Sequence, residues 1–117
     1  MLAGALVLLL SGPLLGRAAG PCPERVSVAA YAGERRLLVR TGSAGGSTVL
    51  LHLCSDRPMR SWSVRDAAGG PIAVQPVAED VAVTAVPLPA GGTTTVTVVV
   101  APRTGSPLTF TARAGTR

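Results

Sequence analysis

The sequence predicts one all-β domain, an antiparallel β-sandwich of seven or eight short strands, on three observations. Val, Thr and Leu recur with a period of two in short runs. Gly- and Pro-rich punctuation separates these runs at spacings of about 8–12 residues. No window carries a helical period, and β-branched residues dominate the periodic segments.

The first element is an address. Residues 1–10 (MLAGALVLLL) form an apolar run too short to cross a hydrocarbon core of roughly 30 Å, and Pro13 interrupts its continuation. Small residues follow, with Gly16 and Ala18 in the two positions a signal peptidase reads. Residues 1–18 are therefore expected to be a signal peptide, with cleavage no later than Gly20, and residues 19–117 the mature domain. No transmembrane segment is expected after cleavage. Export makes the two cysteines, Cys22 and Cys54, a disulfide, for which only one connectivity exists. Such a bridge closes a loop of 33 residues, worth about 3.7 kcal/mol by the chain-entropy expression.

The strands follow in order. Residues 25–31 (RVSVAAY) alternate, with Val26 and Val28 on one face. Gly33-Glu34 turns the chain into residues 35–41 (RRLLVRT), and a GSAGG link leads to residues 47–54 (STVLLHLC). Asp56-Arg57-Pro58 is a turn, since proline presets φ and aspartate bonds its own backbone. Residues 59–66 (MRSWSVRD) set Trp62 and Val64 against Ser61 and Ser63. In residues 71–77 (PIAVQPV), Pro76 marks an edge strand. Residues 81–88 (VAVTAVPL), 93–101 (TTTVTVVVA) and 106–113 (SPLTFTAR) complete the set. The uncharged stretch 95–100 would template aggregation at an edge, so it belongs in a sheet centre.

Hydrophobic residues make up 47% of the 117 residues but aromatics only 3%. The core must therefore be built from Val, Leu and Ala, with Trp62 the expected single anchor. Arg supplies every basic side chain, and Lys and Asn are both missing, a signature of GC-rich coding. Without Asn there is no N-glycosylation acceptor. Removal of Arg17 with the leader leaves ten arginines against six acids, a net charge of +4.

Candidate chemistry is sparse. His52 is the only histidine and has no neighbouring ligand, so it is expected beside the bridge or at the sheet surface. Ser55 and Asp56 lie near it along the chain, but no Gly-x-Ser-x-Gly elbow is present. Glu79 and Asp80 stand without the further oxygens that calcium requires. Three rings in the whole chain give no stacking platform for single-stranded nucleic acid. Neither enzymatic activity, a metal, a cofactor nor nucleic acid is expected. The best candidate surface is the stretch around Arg57, Met59, Arg60 and Arg65, because Arg and Met are enriched at protein interfaces.

The order of Cys54, Trp62 on the next strand and the Pro89–Gly92 turn into a Val/Thr strand resembles immunoglobulin-like sandwiches. Residues 48–100 are also similar to small bacterial proteinase-inhibitor sandwiches of the BsuPI type. The resemblances imply a sandwich fold and transfer no residue or activity. The expected function is that of an exported, non-enzymatic binding or structural module facing an extracytoplasmic protein or an anionic envelope component. The alternative is an inhibitor or regulator of an exported enzyme, acting through the Asp56–Arg60 loop.

Mass spectrometry of the exported protein is expected to find a chain starting at Ala19 and lighter than the dithiol by two hydrogens. A mature species retaining Met1, or titrating as two free thiols, contradicts the reading of the leader and the bridge.

Overall fold

The computed structural model describes residues 21–90 and 92–115; the expected signal peptide lies outside them. A 3-10 turn, Glu24–Val26, precedes nine strands. These are β1 (Val28–Ala32), β2 (Arg35–Ser43), β3 (Thr48–Ser55), β4 (Met59–Arg65), β5 (Pro71–Ile72), β6 (Val74–Ala78), β7 (Val81–Pro87), β8 (Thr93–Pro102) and β9 (Leu108–Gly115). They form two antiparallel sheets, ordered β1-β2-β3-β7-β6 and β5-β4-β8-β9, packed face to face. The fold is a β-sandwich.

Alternation decides which side chains meet. From β2 and β3, Leu37, Val39, Val49, Leu51 and Leu53 point inward and are buried. Val64, Val96, Val98, Val100 and Phe110 face them from the second sheet. One ring, Phe110, stands among the fully buried side chains; Trp62 is half-buried and packs against the core from β4. Thr84 is a buried polar residue of β7, and its hydroxyl donates to the Ala73 carbonyl at 2.7 Å, which removes the penalty of an unpaired group.

The uncharged run at 95–100 lies in β8, hydrogen-bonded on both sides to β4 and β9. Two expected strands differ. Residues 71–77 do not make one strand: the chain changes sheets at Ala73, so β5 pairs with β4 and β6 with β7. Pro71 and Pro76 lack N–H donors, and both halves sit at sheet edges where that loss is tolerated. A register shift between Pro76 and Ala78 further blunts β6 against unwanted pairing. At the other end, β1 begins only at Val28, because residues 24–26 wind into the 3-10 turn.

Gly33 opens the β1–β2 hairpin with φ of 64°, the left-handed value that lets a two-residue turn follow the twist of the strands. Pairing then runs from Ala32↔Arg35 to Val28↔Val39. That register sets the geometry of the site below.

Truncating the one buried ring, Phe110→Ala, is expected to lower stability by about 3–5 kcal/mol, measured by urea unfolding, whereas Thr109→Ala on the solvent face should change little. A loss below about 1 kcal/mol for Phe110→Ala would show that the core does not depend on the ring.

Candidate functional site

The outer face of the first sheet carries Leu38 and Arg40 from β2 and Leu50, His52 and Cys54 from β3, the alternate residues to the buried row. The Cys22–Cys54 disulfide lies on this face, with its Cα atoms 6.1 Å apart. Cys22 Sγ sits 3.6 Å from the Leu38 carbonyl and 3.4 Å from that of His52. Arg40 Nε donates to the Pro21 carbonyl, and Arg36 pairs with Glu24 at 3.3 Å. The segment from Pro21 to Val26 is thus a strap drawn across the sheet by a covalent bond and two arginines.

Arg40 and His52 are direct cross-strand partners. Arg40 Nη2 is 3.3 Å from both ring nitrogens of His52, an equal approach met only above the ring face. One guanidinium nitrogen therefore rests over the imidazole face, a contact that the weakly hydrated guanidinium favours. Burial first, and then the Arg40 charge, hold the His52 pKa below its ordinary value.

A groove opens where β2 outruns β1. The β1 ladder stops at Val39, while β2 continues to Ser43 in pairing with β3. Val26, Val28, Val39, Thr41, Ser43 and Val49 line a half-open groove of about 490 Å³ beside Gly115 of β9. Among the described residues, no charged side chain lines it. Val26 and Val28 stand at its rim, 62% and 73% exposed. The peptide groups on its β2 wall have a definite direction. Ala44 N–H bonds the Thr48 carbonyl on β3, and Ser55 N–H bonds the Asp80 carbonyl on the β7 side. Alternation then turns the even-numbered residues of β2 toward β3 and the odd-numbered ones away from it. Thr41 and Ser43 consequently present N–H and C=O groups to the groove, beyond the last residue of β1.

The surface expected from the sequence does not assemble as a unit. Arg57 is exposed, on a turn held by its N–H bond to Ser55 Oγ. It joins Arg35, Pro58, Pro102, Arg103 and Thr104 around a hollow of about 120 Å³. Arg60 is exposed at the register shift of β4. Met59 instead points into the core, 6% exposed, because its partner Pro102 is buried too. Arg65 lies at the far end of β4, roughly 20 Å away for a strand of this length, and donates to the Gly69 carbonyl at 3.0 Å. The hollow is nearly neutral: Arg35 pairs with Asp56 at 2.8 Å and Arg103 with Glu79. The Arg35 hydrogen bond holds the Asp56 pKa below the usual carboxylate range. Asp56 is thereby engaged by arginine, and His52 by Arg40, so the two do not meet as a catalytic pair.

Among the described residues, no group of three His, Cys, Asp or Glu side chains is placed to hold a metal, and no helix is long and apolar enough to cross a membrane. Comparison with protein families, curated proteins and solved structures found no match to this chain. The groove was not anticipated from the sequence. Its signal was present in the spacing: Cys22 stands only three residues before Arg25, so a strand reaching back to Arg25 competes with a bridge to Cys54.

The depressed His52 pKa predicts a pH dependence. A folded-state pKa below the unfolded value of 6.5 means that the unfolded chain takes up the proton more readily. The His52 contribution is full above 6.5 and is lost as pH falls through that value toward the folded pKa. Stability by urea unfolding should therefore fall from about pH 7.5 to about pH 5, and by less in His52→Gln. An equal fall in both proteins would assign the effect elsewhere; Asp56, lowered from 3.8, loses its contribution only in a more acidic window.

Proposed function

We propose that this chain is an exported, non-enzymatic β-sandwich module that binds an extended, uncharged segment of an extracytoplasmic protein in the groove beside β2. One observation carries the reading. Beyond the last rung of β1, the peptide groups of Thr41 and Ser43 sit beside a lining of valines, glycines and hydroxyl side chains that holds no charge among the described residues, with exposed valines at its rim. That combination recognises a polypeptide backbone in extended form, by adding a strand to the sheet edge while small apolar or hydroxyl side chains enter the groove. The intramolecular disulfide supports an oxidising compartment, in line with the leader expected at residues 1–18. An immunoglobulin-like connectivity is supported by the order β2-β3-β7-β6 facing β5-β4-β8-β9, which follows the A-B-E-D and C′-C-F-G pattern.

A second reading, an inhibitor or regulator acting through the Asp56–Arg60 loop, is favoured by the convergence of Arg57 with Arg35 and Arg103 around one hollow. Acidic peptides would be its probe.

The two readings separate in a titration of the oxidised mature chain followed by amide chemical shifts. Alternating Val/Thr peptides are expected to shift Thr41, Ser43 and Thr48, and Val28→Asp, at a largely exposed position, should weaken that binding at least about tenfold by placing a charge at the groove mouth. Shifts confined to Arg57 and Arg60, obtained only with acidic peptides, would move the function to the loop. Silence at the groove amides with every Val/Thr peptide would end the groove reading.

A further inference from the structure

We infer that two copies of this chain join through β9, edge to edge about a two-fold axis at Thr111, so that their four-stranded second sheets become one continuous sheet. The inference goes beyond the groove reading, since it uses the other sheet and different peptide groups.

The free groups of β9 follow from the ladder. Asp66 N–H bonds the Gly70 carbonyl and Gly69 N–H bonds the Asp66 carbonyl, so Asp66 aims both peptide groups toward β5. Alternation sends those of Val64 the same way and those of Ser63 and Arg65 toward β8. Ser63 stands opposite Val99 and Arg65 opposite Thr97. The odd-numbered residues of β8 therefore serve β4, and the even-numbered ones serve β9. Val96, Val98 and Val100 pair with Ala112, Phe110 and Leu108. Thr109, Thr111 and Arg113 are left with N–H and C=O groups turned away from the sheet. Among the described residues, no backbone hydrogen bond from a turn or loop reaches them. β1 meets β9 from the core side, where Ala30 and Ala32 pack, and forms no ladder with it.

The other edges are guarded. β5 is two residues long, β6 carries Pro76 and a register shift, and β1 turns only Ala29 and Tyr31 outward over its five residues. β9 runs eight residues with neither a proline nor a register shift against β8. Such an edge accepts a further strand unless something blunts it.

The strand that fits is β9 itself. An antiparallel copy turned about Thr111 sets Thr111 opposite Thr111, Thr109 opposite Arg113, Phe110 opposite Ala112 and Leu108 opposite Ala114. Each large side chain on the core side meets an alanine, and each arginine meets a threonine. The three outward-facing residues of each copy complete a ladder of about six hydrogen bonds. The two Arg113 Cα atoms stand about 14 Å apart, beyond the screening length of about 8 Å. An axis at Phe110 would instead oppose two phenyl rings, and one at Arg113 would oppose two like charges. The pairing consumes the same edge on both copies, so assembly closes at the dimer. One strand pair is a small interface, which makes the dimer weak and dependent on concentration.

Sedimentation of the oxidised mature chain between about 5 and about 500 μM tests this. Monomer is expected to give way to dimer, with amide exchange slowed at Thr109, Thr111 and Arg113 in the concentrated sample and unchanged at Thr41 and Ser43. A chain that stays monomeric throughout overturns the inference. So does a dimer, or a growing assembly, that leaves exchange in β9 unchanged. Two substitutions on the exposed face of β9 check the register. Thr111→Lys places like charges across the axis and should weaken the dimer at least about fivefold. Thr109→Asp faces the partner's Arg113 at two symmetric places and should tighten it at least about twofold at low salt. Urea unfolding like that of the parent chain shows that neither effect is misfolding, and a dimer indifferent to both substitutions removes the proposed pairing.

Discussion

A tether whose Cα atoms are 6.1 Å apart, between Cys22 before β1 and Cys54 near the end of β3, fixes the path by which the chain enters the sandwich. The bridge lies on the outer face of the sheet, away from the core, and draws the chain over Leu38 and His52. The 3-10 turn, the late start of β1 at Val28, the buried Ser27 hydroxyl and the groove beside Thr41 and Ser43 follow one another along the chain from the bridge. A domain of this size buries a modest share of its surface, and a cross-link that constrains the unfolded chain compensates for a core with one buried ring.

The two ends of the sandwich differ in kind. At the Arg57 end, guanidinium groups meet carboxylates: Arg35 with Asp56, and Arg103 with Glu79. These are exposed or half-exposed pairs, worth little in water. At the other end valines, glycines and hydroxyl residues line the groove and backbone groups of β2 face outward, with no charged side chain among the described residues to engage them. That asymmetry places the binding proposal at the groove, although the cationic composition pointed first to the arginines.

The edges follow the same logic. On one side of the sandwich, β5 is two residues long and β6 carries Pro76 and a register shift, so added strands find little purchase. On the other side, β1 leaves the last residues of β2 uncovered and β9 runs eight residues without proline. The open edge is next to the groove, where strand addition is chemically available.

Much of the architecture was legible along the chain. The period of two in residues 35–41, 47–54 and 93–101 dictates which residues are buried, because successive side chains of a strand point to opposite faces. The central place of residues 95–100 followed from what an exposed run of that composition would do. The pairing of Cys22 with Cys54 needed only their number and the expectation of export. Other features needed the third dimension. Met59 reads as an interface residue by type, yet its register opposite Pro102 turns it inward. Residues 71–77 read as one strand, yet they divide between two sheets at Ala73. The sequence by itself determined the periodicity, the bridge and the all-β class, since those depend on local patterns and composition. Only the tertiary structure decided that the β1 ladder stops at Val39 while β2 runs on to Ser43, because that depends on the path residues 21–27 take over the folded sheet.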